Sequence, residues 1–288
     1  MIMIRKTWIA LVLLTMVTAC QENRREQTAT RKNGLYGAQT QREPATDASQ
    51  EAKGQRAKVV RLYEIPAPLK DRPEQILHRR GYTTSYNQQT KTPNWVAWHL
   101  TKAHTYGKNQ RSGEVFTEDN DVKAPRATDN DYYNSRYDRG HMCPAGDNKW
   151  DKLAMEQSFL FTNICPQNHG LNKYEWNDVE MRCRDWAREY GAIDIVCGPV
   201  YQSAANQKTI GNNKVWVPDA FFKVVLCRQG KAKAIGFVFR NEGKKQPVAD
   251  AVCTVDEIER LTGLDFFPAL DDETENKVEA VANLSEWK

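Results

Sequence analysis

The sequence predicts an α+β fold with a mainly antiparallel central sheet flanked by helices, and three observations support this prediction. Strand-like and helix-like segments follow one another without the regular alternation of a doubly wound sheet. Two apolar runs, 221–227 and 232–239, flank the turn sequence Arg228-Gln229-Gly230-Lys231, which indicates an antiparallel hairpin. The chain is 40% hydrophobic and 27% charged, which is typical of a globular protein with a sizeable core.

The first half of the folded region contains four predicted elements. Residues 81–87 are rich in strand-forming side chains, and residues 94–100 alternate between apolar and polar side chains as a strand does. Residues 152–158 are typical of a helix. Residues 159–164 form an apolar run that predicts a short buried strand.

The second half begins with a long amphipathic helix, predicted for residues 171–190 and ended by a glycine. The apolar run 193–197 predicts a strand that the following Gly-Pro pair ends. After the hairpin, Thr254 and Glu257 form a capping-box pattern that opens a short helix. Gly263 ends this helix.

The first twenty residues predict export. A basic start precedes an apolar stretch, 8–17, that is too short to span a bilayer comfortably. Val17-Thr18-Ala19-Cys20 resembles a bacterial lipobox, in which the cysteine becomes the lipidated first residue. Residues 1–20 are therefore expected to be a lipoprotein-type signal peptide, with Cys20 anchoring the protein to the bacterial outer membrane. An ordinary secretory signal that contains a cysteine is the alternative.

The rest of the chain divides by composition. Residues 21–57 are polar, with almost no large apolar side chain, and predict a flexible tether. Residues 58–270 contain the predicted elements and form one domain, and residues 271–288 are expected to be an acidic tail. The formal net charge is only +4, so a phosphate-binding surface has to be local.

Export permits disulfide bonds among the six cysteines that follow Cys20. Six cysteines allow fifteen connectivities, and the sequence does not choose among them. Cys143 and Cys165 both flank the candidate site described next, so this pair is the first expectation. The other four are Cys183, Cys197, Cys227 and Cys253.

The stretch Asp138-Arg139-Gly140-His141 combines side chains that suit chemistry on a phosphate. A neutral histidine can take a proton from water near pH 7. An arginine offers a planar, permanently charged fork for phosphate oxygens. Glycine lets the backbone approach a substrate closely. A four-residue string is a weak signal by itself, so the rest of the chain has to support it.

The predicted long helix supplies a second group of polar side chains. Asn172, Trp176 and Glu180 are spaced four apart and therefore share one helical face. An amide and a carboxylate two turns apart can hold a hydrated hard cation such as Mg²⁺, which often takes only one or two protein ligands. The spacing alone favours an ordinary solvated helix face.

Together with His141, this helix changes the interpretation, because the ordered set of motifs resembles the DNA/RNA non-specific endonuclease family. That family includes secreted nucleases and endonuclease G within the ββα-metal, or His-Me finger, superfamily. The resemblance covers residues 60–268 and rests on four blocks in family order: Trp95 to Lys102, Asp131-Tyr132, Tyr137 to Asp147, and Asn163 to Asn168.

The resemblance implies an endonuclease domain at 58–270 with a ββα-metal motif and a role for each matched residue. His141 is the general base, Asn172 is the direct protein ligand of Mg²⁺ (Mn²⁺ or another divalent cation being possible), and Glu180 acts in the outer sphere of the metal. Arg111 and Arg139 hold phosphate oxygens, and Asn163 shapes the site. DNA and RNA are the implied substrates, cut to leave 5′-phosphate ends.

The role of Asp138 stays open at this point. It can orient the His141 loop, contact the metal shell, or cap local structure.

Two alternatives have different chemistry. His141, Cys143, Cys165 and His169 can be interpreted as a structural Zn²⁺ site without hydrolysis. A lipid-anchored protein that binds nucleic acid without cutting it is the second alternative. Its basic patch would contain Lys102, Lys108, Arg111, Arg136, Arg139, Lys149 and Lys152.

Overall fold

The computed structural model describes residues 62–202, 205 and 207–287. The predicted signal peptide at 1–20 and the predicted tether at 21–57 lie outside these residues. None of the helices in the described part of the chain combines the length and apolarity needed to cross a bilayer.

The strands of the described residues form one large sheet and two small ribbons. The strands are β1 (Gln75–His78), β2 (Thr83–Asn87), β3 (Thr92–Thr101), β4 (Asp138–His141), β5 (Ile164–Gln167), β6 (Ala192–Val200), β7 (Thr209–Ile210), β8 (Val215–Trp216), β9 (Ala220–Cys227), β10 (Lys233–Arg240) and β11 (Val252–Cys253). The large sheet has the order β1-β2-β3-β6-β9-β10-β11, and each pair of neighbours is antiparallel. The ribbons are β4-β5 and β7-β8.

Helices flank this sheet, which confirms the predicted α+β fold class. The predicted long helix is present as α3 and α4, joined without interruption by the π-helical turn Asn172–Trp176. The helices are α1 (Asp129–Tyr132), α2 (Lys152–Ser158), α3 (His169–Leu171), α4 (Asn177–Tyr190), α5 (Val255–Thr262) and α6 (Asp272–Glu279). Short 3-10 turns occur at Ala103–Thr105, Ala145–Asp147, Phe161–Asn163, Val248–Asp250 and Leu284–Glu286.

The central part of the sheet is buried on both faces, because alternate side chains along β3, β6, β9 and β10 enter different apolar clusters. Val96 and Trp98 of β3 pack in a cluster with α4, whereas Trp95 and Ala97 pack in a cluster with α5. The first cluster also contains the strand residues Ile195, Phe221 and Phe237. The long helix is therefore fixed against one face of the sheet.

Two local predictions were wrong. Residues 159–164 do not form a strand: Phe161–Asn163 is a 3-10 turn, and β5 begins at Ile164, where it meets its partner β4. The Gly-Pro pair does not end β6, which continues to Val200. Pro199 is tolerated because β6 pairs with β3 only as far as Cys197 and beyond that point pairs with β9 alone.

The predicted acidic tail at 271–288 is folded over its described residues. It contains α6, and Val278 lies buried in the cluster under α5. Trp287 lies buried in the cluster on the opposite face of the sheet, with its ring 4.7 Å from that of Trp186. The folded unit therefore continues beyond the predicted boundary at 270.

The expected Cys143–Cys165 disulfide is absent, and all six cysteines of the described residues are free and buried. Cys143 accepts a hydrogen bond from Asn148 Nδ2 at 3.3 Å, and the Cys197 thiol donates to the Met142 carbonyl at 3.3 Å. The thiols serve here as small core side chains, which is common for free cysteine.

Candidate active site

Two short antiparallel strands and the helix after them form a ββα unit. β4 pairs with β5 so that Asp138 lies opposite Gln167 and His141 lies opposite Ile164. The side chain of Asn168 then caps α3 by accepting a hydrogen bond from Gly170 N at 2.9 Å. A Cβ at Gly140 would lie 2.3 Å from Gln167 Oε1, so only glycine allows the two strands to approach this closely.

His141 ends β4 and lies between two aromatic rings. Its ring centroid is 4.9 Å from that of Phe159 and 5.3 Å from that of Phe116. Burial, and to a lesser extent the charge of Arg111, lower the pKa of His141 to about 3. The ring nitrogen Nε2 is buried without a hydrogen-bond partner among the described residues. The imidazole is therefore neutral near pH 7.

The backbone around His141 is held by two other residues. The carbonyl of His141 accepts a hydrogen bond from Trp176 Nε1 at 3.2 Å. The buried side chain of Asn163 accepts from Cys143 N at 2.9 Å and donates to the carbonyls of Cys143 and Ser158, each at 2.8 Å. Asn163 thus stabilises the backbone after His141 by hydrogen bonds, and it does not line the cleft.

Asp138 lies at the start of β4 and contacts the helix instead of His141. Its Oδ2 accepts hydrogen bonds from Asn172 Nδ2 at 2.9 Å and from His169 Nδ1 at 3.0 Å. Because the amide nitrogen of Asn172 is engaged in this way, its oxygen is the free end of the side chain. No hydrogen bond within the described residues reaches that oxygen, although Asn172 lines the cleft.

Glu180 lies on α4 and lines the same cleft. Burial raises the pKa of Glu180 to about 7, against the opposing effects of the Lys223 and Arg184 charges. Arg184 itself donates to the buried carboxylate of Asp147 at 3.0 Å, and Asp147 also accepts from Trp98 Nε1 at 3.0 Å. A buried charge network therefore supports the wall of the cleft that carries Glu180.

The two predicted phosphate-binding arginines have different surroundings. Arg111 is exposed, with its guanidinium 5.9 Å from the ring centroid of Phe159 and with no ion-pair partner among the described residues. Arg139 donates from Nε to Asp129 Oδ1 at 2.6 Å, and its guanidinium lies 5.7 Å from the ring centroid of Phe116. Arg111 is thus available to an anion, whereas Arg139 is shared with a carboxylate.

These side chains meet in one cleft of about 560 Å³. Of the seven site residues predicted from the sequence, all but Asn163 line it. The cleft is polar and rich in positive charge, which suits a polyanionic ligand. Residues that line the cleft but are not among these seven include Gln110, Lys149, His169, Lys173, Asn177 and Arg184.

The oxygen donors of this cleft fit a hard divalent cation. Asn172 offers a free amide oxygen, and Asp138 and Glu180 offer carboxylates. Amide and carboxylate oxygens are ligands that Mg²⁺ accepts, and it keeps water in its other positions. The residues present therefore fit a hard divalent cation of the kind that the sequence implied.

The alternative zinc set does not converge. Within the described residues, His141, Cys143, Cys165 and His169 do not bring three ligand atoms together. Cys143 and Cys165 lie in the apolar core, while His169 is paired with Asp138. These residues are close together in the sequence, but the fold directs their side chains to different surroundings.

Known proteins resemble this chain in sequence and in fold. The sequence profile described as DNA/RNA non-specific endonuclease matches residues 62–273. The mitochondrial nuclease EXOG of Xenopus laevis is 35% identical over 206 residues, which are 66% of this chain and 58% of the relative. The same nuclease of Danio rerio is 36% identical and covers 69% of this chain and 63% of the relative. The chain thus spans about three fifths of the length of these two relatives.

Two further comparisons extend the match. The mitochondrial endonuclease G of Homo sapiens is 31% identical over 207 residues, which are 67% of this chain and 70% of the relative. A crystal structure of the EndoG/EndoGI complex matches with a TM-score of 0.66 and 26% identity, covering 70% of this chain and 89% of that chain. The chain therefore belongs to the DNA/RNA non-specific endonuclease family.

Proposed function

We propose that this chain is a divalent-metal-dependent endonuclease that hydrolyses phosphodiester bonds in both DNA and RNA and leaves 5′-phosphate ends. One observation carries the proposal: the neutral imidazole of His141 and the free amide oxygen of Asn172 line the same cationic cleft. A base and a cation ligand in one positively charged cleft are the two parts that metal-assisted hydrolysis requires. Membership of the family supports the same chemistry.

His141 is the general base of the proposed reaction. Its neutral ring takes a proton from a water molecule whose oxygen attacks the phosphorus in line with the 3′ oxygen. The new phosphorus–oxygen bond forms as the bond to the 3′ oxygen breaks, and the 3′ oxygen takes a proton from a water molecule of the cleft to become a hydroxyl. Phe116 and Phe159 keep the imidazole in a fixed orientation and largely out of bulk water.

Mg²⁺ is the proposed cation, with Mn²⁺ as a substitute of the same ligand preference. Asn172 would hold it directly, Asp138 would orient the Asn172 amide, and Glu180 would support its water shell. When bound, the metal would stabilise the negative charge of the phosphate and the negative charge that develops on the leaving oxygen.

Arg111 and Arg139 bind the phosphate oxygens. Arg111 has no competing ion pair among the described residues, so it is the first arginine that we expect a phosphate to meet. Arg139 is preoriented by stacking over Phe116 and by its contact with Asp129. Contacts of this kind recognise the phosphate and not the base, which supports activity on both DNA and RNA of any sequence.

The test is cleavage by the purified full chain of a supercoiled plasmid and of a long RNA, with Mg²⁺ or with EDTA. We expect fragmentation of both with Mg²⁺ only, and 5′ ends that accept a radioactive phosphate only after phosphatase treatment. His141→Ala is expected to abolish cleavage while the far-ultraviolet circular dichroism stays unchanged. His78→Ala, which changes an exposed histidine that does not line the cleft, is the matched control.

Retarded but intact plasmid with both Mg²⁺ and EDTA would instead identify a nucleic-acid-binding protein without catalysis. Turnover close to that of the wild type by a folded His141→Ala protein would refute the assignment of the base.

We also propose that the protein is exported and anchored to a membrane by a lipid on Cys20. The support is the lipobox-like sequence Val17-Thr18-Ala19-Cys20 and the polar composition of residues 21–57. In a Gram-negative bacterial host, labelled palmitate should be incorporated into the wild-type chain and not into Cys20→Ser. Label in neither protein would reject the anchor without bearing on the nuclease.

A further inference from the structure

A second group of acidic side chains lies on the other face of the sheet from α4. Asp256 and Glu259 are three residues apart on α5, and Glu279 is the last residue of α6. One carboxylate oxygen from each of these three side chains lies within 4.8 Å of the other two. Three negative charges this close repel one another strongly unless protons or a cation compensate them.

Glu279 is the most unusual member, because it is 94% buried and unpaired. Its exposed fraction is 6%, and its Oε1 is inaccessible to solvent and has no hydrogen-bond partner. No hydrogen bond or ion pair within the described residues reaches this carboxylate. An ionised, buried carboxylate without a partner is strongly unfavourable, so a group of this kind requires either a proton or a bound cation.

The charged side chains that act most strongly on Glu279 are Glu259, Glu275 and Asp256, and all three are acidic. None of these neighbours supplies a positive charge. Glu275, one helical turn before Glu279, also has one buried carboxylate oxygen without a hydrogen-bond partner.

We propose that Asp256, Glu259 and Glu279 bind one Ca²⁺ ion that ties α6 to α5. The donors are all carboxylate oxygens, which select a hard cation over Zn²⁺ or a softer metal. Ca²⁺–O bonds are about 2.3–2.6 Å, so oxygens on opposite sides of the ion are separated by up to about 5 Å. Ca²⁺ also accepts six to eight ligands in irregular geometry, which leaves room for water or for Glu275.

The consequence is structural rather than catalytic. Val255 and Ile258 of α5 and Val278 of α6 lie in one apolar cluster, on the face of the sheet that does not carry α4. Beyond α6 the chain crosses to the other face, where Trp287 is buried. An ion bound between α5 and α6 therefore stabilises the position of α6, the last helix before the chain crosses to the other face of the sheet.

The test compares the thermal midpoint of the full chain in a chelator with that in Ca²⁺. At free Ca²⁺ about a hundredfold above the dissociation constant, we expect the wild-type midpoint to rise by about 5–10 °C. Glu279→Gln replaces a charged ligand with a weaker, neutral one and removes one repelling charge while keeping the volume. In the chelator it should melt at or above the wild-type temperature, and in Ca²⁺ the order should reverse.

Glu273→Gln is the matched control, because it removes an exposed charge from the same helix. It should keep the Ca²⁺ shift of the wild type. Calorimetric titration of the Asn172→Ala protein, which lacks the proposed cleft ligand, should give one Ca²⁺ per chain, and the Asn172→Ala/Glu279→Gln double variant should bind at least about tenfold more weakly.

A wild-type midpoint that does not respond to Ca²⁺, or an equal response in Glu279→Gln, would overturn the proposal and leave a carboxyl cluster that shares protons. Because the readouts are melting and calorimetry in a protein without the cleft ligand, this result does not depend on the proposed nuclease activity.

Discussion

Asn172 donates a hydrogen bond from Nδ2 to Oδ2 of Asp138 across 2.9 Å, and this contact joins the first strand of the ββα unit to its helix. This hydrogen bond orients the Asn172 amide so that its oxygen has no hydrogen-bond partner among the described residues. Asp138, whose role the sequence left open between three possibilities, thus contacts Asn172 and not His141. His169 shares the same carboxylate oxygen at 3.0 Å and completes the arrangement.

We therefore expect Asp138→Ala to weaken metal binding by about 10–100-fold, because the Asn172 amide loses the partner that orients it. The measurement is the Mg²⁺ concentration that gives half-maximal cleavage. Asn172→Ala should lower activity by a larger factor, since it removes the proposed direct ligand itself. Asp178→Asn, an exposed change at the start of α4, is the control. An unchanged Mg²⁺ dependence in Asp138→Ala would show that Asp138 acts elsewhere.

The buried position of His141 predicts a specific dependence of stability on pH. The imidazole of an unfolded chain titrates near 6.5, whereas the pKa of His141 in the folded protein is about 3. Between these values the unfolded state binds more protons, so the free energy of unfolding falls as the pH drops from 6.5 towards 3. The stabilisation from this group is therefore present above pH 6.5 and is lost in acid.

His141→Phe keeps an aromatic ring between Phe116 and Phe159 but removes the titrating group. We expect its stability to fall less steeply between pH 7 and pH 4.5 than that of the wild type, measured by urea unfolding in metal-free buffer. The imidazole resonance of His141 in the wild type should have a midpoint well below 6.5. Equal pH slopes in the two proteins would contradict the low pKa.

Local sequence signals predicted the elements whose cause is itself local. Thr254 and Glu257 form the capping box through hydrogen bonds of 3.1 and 2.8 Å, and Gly263 adopts a φ of 70° at the end of the same helix. The hairpin of β9 and β10 and the helix Lys152–Ser158 were predicted for the same reason. Each depends on residues within about twenty positions of one another.

The errors depend on partners that are distant in sequence. The continuation of β6 through Pro199 follows from β3 ending its pairing at Cys197, which no local pattern reveals. The burial of Trp287 follows from its contact with Trp186, about a hundred residues earlier. In the site, the family resemblance supplied the residue types, but the pair Arg139–Asp129 needed the tertiary structure.

The contact between Arg139 and Asp129 predicts that the carboxylate competes with phosphate. Asp129 is exposed, so the ion pair contributes at most about 1 kcal/mol. Asp129→Asn should lower the KM for DNA by up to about fivefold at low salt, with kcat nearly unchanged, because Arg139 is released to the substrate.

Glu118→Gln breaks an ion pair with Arg126 outside the cleft, and its KM should equal that of the wild type. A higher KM in Asp129→Asn would mean that Asp129 holds Arg139 in its binding position instead of competing for it.

The burial of Trp287 predicts that the end of the chain contributes substantially to stability. The ring packs 4.7 Å from Trp186 and 6.1 Å from Tyr190, both on the helix that carries Glu180. Truncating a buried tryptophan costs about 3–5 kcal/mol, so Trp287→Ala should lower the free energy of urea unfolding by about that amount. Val281→Ala, at an exposed position in the same segment, should change it by less than about 0.5 kcal/mol. A loss as small as that of the control would mean that residues 280–287 behave as the acidic tail that composition alone suggested.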